Sequence, residues 1–347
     1  MRFFLRVAVV FYASAVRLRA FLYSKRLLKT HYAGAKVISI GNITVGGTGK
    51  TPLVIWLCKL LQQKEIRCAI LTRGYKATQN SKLKTQNYPD EPAILSQSCP
   101  QAKVIVNPDR VAGAAEAVDK FGAEVLIMDD GFQHRRLARD LDIVTIDATQ
   151  PFGYGKLLPA GLLREPVTAL GRADAVVITR CDQIQESELA ELEQKLKQIN
   201  PNMIIARSIH APIRAESTQS KKIGLESLKD RRVFAFCGIG NPGAFFSTIK
   251  ELGSYLIGSK IYDDHCRYTE KDISDISAQA KNVKADLILT TQKDWTKLPI
   301  ENRKSKIGTL FAYLAIELRF ISGEDKLRGL IENTLAGKIP AKKQDRT

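Results

Sequence analysis

The chain has 347 residues, 44% of them apolar, which is enough for two packed domains and argues against wholesale disorder. Its formal charge of +17 is concentrated at one end: eleven Lys and Arg, from Arg2 to Lys64, precede the first acidic residue, Glu65, and the rest of the chain carries 42 basic against 36 acidic residues. That distribution excludes a uniformly cationic protein and points to a local contact with a polyanion or an anionic lipid surface. The six cysteines (Cys58, Cys68, Cys99, Cys181, Cys237 and Cys266) form no CxxC pair and show no zinc-site spacing, so they read as reduced thiols of a cytoplasmic protein.

Residues 1–30 mix aromatic, aliphatic and basic side chains. The longest uncharged run, Val7 to Val16, has ten residues, whereas a spanning helix needs about twenty. Arg2, Arg6, Arg17 and Ser24 fall on one helical stripe, and Phe3, Phe4, Val7, Val10, Phe11, Leu18, Phe21 and Leu22 cover much of the remainder. This pattern predicts an amphipathic helix lying in a membrane interface. A core helix with snorkelling arginines is the alternative. A signal peptide ending at Ala13-Ser14-Ala15 has too short an apolar core ahead of it.

Strand-like runs then alternate with helical stretches. Strands are expected at Val37–Ile40, Ala69–Thr72, Val104–Val106, Val125–Met128, Ile143–Ile146, Val176–Thr179 and Ile204–Ala206, with helices at Pro52–Leu61, Arg110–Phe121 and Glu186–Ile199. The alternation predicts an α/β fold with a doubly wound sheet of the P-loop NTPase type. Glu216–Lys222 reads as a linker. Beyond it, strands at Val233–Phe236, Leu287–Thr291 and Leu310–Leu318 and a helix at Gly243–Leu252 predict a second, smaller α/β domain. The expected organisation is an interfacial helix at 1–30, a nucleotide-binding domain at 31–215, a smaller domain at 223–335 and a polar tail at 336–347.

Chemistry concentrates first at Gly41-Asn42-Ile43-Thr44-Val45-Gly46-Gly47-Thr48-Gly49-Lys50-Thr51, between a strand and a helix. A glycine-rich turn at a helix N-terminus directs backbone amides at phosphate, so Thr44, Val45, Gly46, Gly47, Thr48 and Gly49 are expected to wrap a nucleoside triphosphate. Lys50 is expected to reach the β- and γ-phosphates, and Thr51 to ligate magnesium. Thr44 occupies a position where the strict pattern has glycine. Downstream, Val125-Leu126-Ile127-Met128-Asp129-Asp130 ends a strand in two carboxylates, either of which could hold magnesium.

Two rival nucleotide readings are weaker. Thr179-Arg180-Cys181-Asp182 lacks the lysine of a guanine-reading motif, and Asp182 reads as a loop or cap residue. Gly238-Ile239-Gly240-Asn241-Pro242-Gly243 matches a dinucleotide fingerprint, yet Pro242 suits the first turn of a helix and the glycines suit a structural turn.

GNITVGGTGKTP, RGY at Arg73–Tyr75, DEP at Asp90–Pro92, DDGFQHRRLARDLDI at Asp129–Ile143, LLPAGLLREP at Leu157–Pro166 and DDH at Asp263–His265 occur in one order. In that order they resemble the tetraacyldisaccharide 4'-kinases of lipid A synthesis, from the N-terminus to about residue 300. The resemblance implies ATP- and Mg²⁺-dependent phosphorylation of the 4'-hydroxyl of a tetraacylated glucosamine disaccharide 1-phosphate. It also implies a peripheral or monotopic enzyme on the cytoplasmic face of the inner membrane. Pro89 stands where the family usually has Gly, and Gln292 where it usually has Glu.

By the same resemblance Asp90 is expected near the γ-phosphate as a base, with His265 from the second domain as its partner, so domain closure around the nucleotide is expected. Glu91 is a further candidate magnesium carboxylate. Gln133, His134, Arg73, Arg110, Arg164 and Glu165 are expected to hold the lipid A disaccharide precursor, the arginines by forking onto phosphate oxygens. The competing functions are a soluble P-loop kinase for a small metabolite and a nucleic-acid-binding ATPase. The second lacks any stacking or groove-reading module, so no nucleic-acid partner is expected. Nothing in the sequence assigns an oligomeric state.

Overall fold

The computed structural model describes residues 2–74, 90–217, 222–264, 266–298 and 310–337; the side chains of residues 2–7 and 90 lie outside it. The expected base Asp90 is therefore placed by backbone only, and His265 lies outside the described residues, as does Tyr75 of the RGY segment.

The chain forms two compact units, Met1–Ile209 with Leu318–Thr347, and His210–Glu317. The first contains α1 (Arg2–Ser24), β1 (Lys36–Gly41), α2 (Lys50–Gln63), β2 (Cys68–Thr72), α3 (Asp90–Ser98), β3 (Lys103–Val106), α4 (Arg110–Phe121), β4 (Val125–Asp129), β5 (Leu141–Asp147), β6 (Ala175–Thr179), α5 (Glu186–Ile199) and the start of β7 (Ile204–Ser217). Its strands run in the order β7-β6-β5-β1-β4-β2-β3, and the pairs β1–β4, β1–β5, β2–β4, β2–β3, β5–β6 and β6–β7 are all parallel.

The chain lays β2, β3 and β4 on one side of β1 and then crosses to the other side for β5 and β6. That reversal opens a crevice at the carboxyl ends of β1 and β4, where doubly wound sheets bind ligands. Register makes the crevice chemical: Ile40 of β1 lies opposite Asp129 of β4, so the end of the glycine-rich segment and the carboxylates are neighbours. The strands are continuous apolar runs because both sheet faces are covered. On one face Leu53, Leu57 and Leu61 of α2, all fully buried, pack in one cluster with Ile38, Ile40 and Ile127.

The second unit holds the rest of β7, β8 (Lys222–Ile223), β9 (Arg232–Cys237), α6 (Pro242–Glu251), β10 (Tyr255–Ile261), α7 (Glu270–Asn282), β11 (Leu287–Thr291), α8 (Gln292–Trp295) and most of β12 (Leu310–Ser322). Strands β10-β9-β11-β12 pair in parallel. Two features differ from the sequence expectation. The segment read as a linker from Glu216 is the end of β7, which pairs antiparallel with β8 through Ala215–Ile223 and Glu216–Lys222. The end of the expected small domain, from Leu318 through α9 (Glu324–Leu335), belongs to the first unit. There Leu327 and Ile331 join the α2 core, and Trp56 of α2 donates to Glu324 at 3.2 Å and packs on Phe320.

Candidate active site

The phosphate loop starts where β1 ends. Gly41 is a close-approach position: a Cβ there would meet the Cβ of Phe132 at 2.6 Å. Thr44 needs no left-handed backbone. It is buried, bridges antiparallel to Leu163, and is flanked by hydrogen bonds from Val45 N to Leu162 O (2.8 Å) and from Arg164 N to Ile43 O (2.7 Å). The first loop position thus works as an edge pair, which threonine suits. The turn itself comes from Gly46 (φ 113°) and Gly49 (φ 85°), the latter at the N-cap of α2 without a capping side chain. Gly46 and Gly47 are exposed, and a Cβ on either would meet nothing within 4 Å, so the loop opens outward beyond the Val45 amide, as a cradle at a helix N-terminus must.

Lys50 and Thr51 open α2. Lys50 Nζ lies 3.5 Å from Asp130 Oδ1. Arg164 Nη1 donates to both oxygens of Asp130, at 2.9 and 2.8 Å. Asp130 takes the left-handed conformation (φ 51°), which swings its carboxylate off the strand axis toward these two cations. Burial works to raise its pKa, but Lys50 and Arg164 together outweigh burial and hold it below the usual carboxylate range.

Its neighbour behaves in the opposite way. Asp129 is 6% exposed, accepts from Thr72 Oγ1 at 3.3 Å, and has its pKa pushed up to about 6, first by burial, then by the Asp130 charge; Glu91 adds to the rise, and Lys50 and Arg110 oppose it. A carboxylate that costs this much to ionise beside other acids fits a site that receives a cation. Among the described residues no three His, Cys, Asp or Glu side chains form a complete metal cage. Magnesium takes one or two carboxylates and completes its shell with water and phosphate oxygens.

Arg110 lies under this pair. It is buried, with Nη1 on Asn107 O (2.9 Å) and Nη2 on the backbone carbonyl of Asp129 (3.2 Å), and burial lowers its pKa to about 10. It braces the carboxylate turn from below. Arg73, by contrast, is exposed at the end of β2.

The following loop is pinned by Arg139. Its guanidinium pairs with buried Asp142 and donates to Phe132 O at 2.7 Å and His134 O at 3.1 Å. Gln133 Nε2 donates to Asn42 O at 2.8 Å, joining this loop to the phosphate loop. His134 is held neutral, its pKa lowered to about 4 by burial and then by Arg110 and Arg139; its Nε2 is buried with no hydrogen-bond partner among the described residues. Glu165 accepts from Arg172 at 2.7 Å, and Arg172 stacks over Phe132 at 4.4 Å.

α1 joins the site through the face that carries Tyr12, Arg19 and Tyr23, about a third of a turn from the Arg2, Arg6, Arg17 and Ser24 stripe. Tyr12 donates to Arg164 O at 2.9 Å, Arg19 Nη2 to Gln133 O at 3.1 Å, and Tyr23 is buried between Arg19 and Arg135. Val10, Phe11, Leu18 and Phe21 are left more than half exposed. No described helix is long and apolar enough to cross a membrane.

The structure therefore gathers Thr44–Thr51, Asp129, Asp130, Gln133, His134, Arg110, Arg164 and Glu165 around one crevice. Thr72, Asn42, Arg139 and Tyr12 escaped the sequence reading. Their roles rest on contacts that only the fold makes, and only the strand-terminal position of Thr72 could have hinted at one.

The sequence comparisons agree with this geometry. Residues 1–336 match the family model described as tetraacyldisaccharide-1-P 4'-kinase. The chain belongs to the tetraacyldisaccharide 4'-kinase family. Similar proteins carrying that name include one from Anaeromyxobacter sp. (strain Fw109-5), 38% identical over 92% of this chain and 87% of the relative. Another, from Syntrophus aciditrophicus (strain SB), is 39% identical over 91% and 88%. A solved structure of LpxK from Aquifex aeolicus in complex with ATP superposes with a TM-score of 0.72 at 30% identity, covering 96% of this chain and 99% of that one. This kinase uses ATP with Mg²⁺ to phosphorylate the lipid A disaccharide precursor, and the soluble-metabolite and nucleic-acid readings fall away.

Proposed function

We propose how the residues of this crevice divide the work of 4'-phosphorylation. The observation that carries the division is the pairing of Lys50 and Arg164 on Asp130 beside the nearly buried Asp129. Asp130 stores both cations in place: its own charge is already answered, and it keeps the Lys50 ammonium at the mouth of the glycine loop. Lys50 then moves a short distance onto the phosphates, where charge accumulates in the transition state. Asp129, with Thr51 and with Glu91 nearby, is the carboxylate that receives magnesium, which would neutralise phosphate charge when bound.

Asp90 is the proposed base toward the sugar hydroxyl, with His265 tuning it. Arg73 and Arg164 are the proposed contacts to phosphate oxygens of ATP or the disaccharide; Gln133, His134 and Glu165 line the acceptor side. Arg110 acts indirectly, by setting the carboxylate turn on which Asp129 sits.

The apolar side chains that α1 leaves exposed support a lipid contact on the cytoplasmic face, with the same helix tied through Tyr12 and Arg19 to Arg164 and Gln133. This would hold the acceptor side of the site near the bilayer, where the acyl chains remain.

Two experiments test the assignment. Asp90→Ala and His265→Ala should each cut turnover about a hundredfold or more with ATP affinity kept, as expected for loss of a general base; near-normal turnover of Asp90→Ala would remove it from the mechanism. Flotation with anionic vesicles should require residues 1–24, and full flotation of the truncated chain would refute the α1 contact.

A further inference from the structure

The sequence Thr179-Arg180-Cys181-Asp182 fits no guanine-reading motif, yet the structure puts its first two residues directly behind the phosphate loop. Arg180 sits at the end of β6 in the left-handed region (φ 56°), and it is 9% exposed. Its Nη1 pairs with Asp147 at the end of β5, and its Nη2 donates to the carbonyl of Gly47 at 3.0 Å. Asp147 is itself held: its Oδ1 accepts from Thr149 N at 3.0 Å and from Thr149 Oγ1 at 2.8 Å. The next peptide is fastened in the same way, by Thr179 Oγ1 donating to Thr48 O at 3.1 Å. The Thr48 hydroxyl is fixed from two sides, by Asn42 Nδ2 at 3.0 Å and by Thr145 Oγ1 at 2.7 Å.

The consequence follows from peptide geometry. In a trans peptide the C=O and the next N–H point in opposite directions. Fixing the carbonyl of Gly47 against Arg180 aims the amide of Thr48 away from the sheet. Fixing the carbonyl of Thr48 against Thr179 does the same for the amide of Gly49. Two successive amides are thereby turned to the open side of the loop, where an anion is cradled. Glycines at 46, 47 and 49 would otherwise leave these peptide planes free to rotate.

We propose that Arg180, held by Asp147, is a positioning residue that orients the phosphate-loop amides through the Gly47 carbonyl, with Thr179 doing the same through Thr48. Arg180 touches the Gly47 carbonyl and Asp147 and no reacting atom. Its charge is consumed by Asp147 and a carbonyl, so its contribution is to preorganise the donors and not to bind phosphate itself. The inference rests on the assignment of Thr44–Thr51 as the phosphate site.

The test uses the full-length kinase in detergent with Mg²⁺, ATP and the tetraacyl disaccharide 1-phosphate. It compares Arg180→Met, Arg180→Lys, Thr179→Val and Lys50→Ala with the parent. Arg180→Met should raise the KM for ATP about tenfold, the loss expected for one charge-assisted hydrogen bond, and leave the KM for the lipid unchanged. Arg180→Lys, which keeps a donor and the charge for Asp147, should recover most of the ATP affinity. Thr179→Val should shift the same constant in the same direction. Thermal midpoints and binding of a fluorescent ATP analogue, measured alongside, keep the result readable if Arg180→Met folds poorly, because Arg180→Lys retains the buried pair. Unchanged ATP constants in all three variants while Lys50→Ala is inactive would overturn the positioning role. Equal losses for ATP and lipid that track the fall in midpoint would overturn it as well. An active Lys50→Ala would instead overturn the phosphate-site assignment beneath it.

Discussion

Among the described residues two glycine-rich turns leave a parallel strand and open a helix, and only one of them is built to receive phosphate. In the first, Gly49 caps α2 with no side chain on the amides, and Gly46 and Gly47 face open space. In the second, Asn241 caps α6 with its own carboxamide, accepting from Ala244 N at 3.1 Å, and Pro242 removes a further donor. Gly238 there is a packing position: an added Cβ would meet Asp263 O at 2.9 Å and Tyr268 Oη at 3.2 Å. The nearby charges of the second turn are also spent, since buried Lys297 pairs with buried Asp294 at 3.2 Å. The same local recipe thus serves a ligand in one unit and the chain itself in the other. The difference lies in whether the donors are already used.

That contrast can be broken most severely at Gly46. Gly46→Val places a β-branched residue where φ is 113° and should cut turnover more than about a hundredfold by displacing the loop; steady-state kinetics would show it, and an active variant would mean the loop is not the cradle. Next comes Asp129→Asn. The native carboxyl keeps its proton up to about pH 6, while an unfolded aspartate loses it near pH 3.9, so stability falls as pH rises between these values and the cost persists above them. Removing the charge should therefore stabilise the Mg²⁺-free protein by about 3 kcal/mol at pH 7 while abolishing activity, as read by urea titration beside the kinase assay.

Asn241→Ala should show the reverse, losing about 1 kcal/mol of stability with the KM for ATP unmoved. At neutral pH the smallest effect belongs to His134. Its folded pKa near 4 lies below the unfolded value of about 6.5, so the unfolded chain takes up the proton first, and stability should fall as pH drops through that window. His134→Gln should flatten this part of the curve, and an unflattened curve would place the acid sensitivity elsewhere.

Much of this was legible in the sequence where the signal is local. Continuous apolar runs such as Val125–Met128 gave the buried parallel strands, and the spacing from Gly46 to Thr51 gave the loop. The motif order gave the family, which the whole-chain match bears out. What escaped was set by neighbours distant in sequence. The half-exposed β10, carrying Gly258 and Lys260, has no apolar run to mark it. The return of α9 to the first unit depends on Trp56 and Phe320 meeting across more than 260 residues. The family resemblance offers Arg110 as a phosphate contact, and only the fold shows that it is buried with its guanidinium on backbone carbonyls. Arg180 carries no local signal: its motif lacks the guanine-reading lysine, and what an arginine at that strand end reaches is set by the fold.

The most direct test of the account is transfer of the γ-phosphate of labelled ATP to the tetraacyl disaccharide 1-phosphate in detergent with Mg²⁺, run with the parent chain and with Lys50→Ala. The parent should give a 4'-phosphorylated lipid and the variant at least about a thousandfold less, the scale of losing a transition-state charge partner. Comparable label in the lipid from both proteins would contradict it.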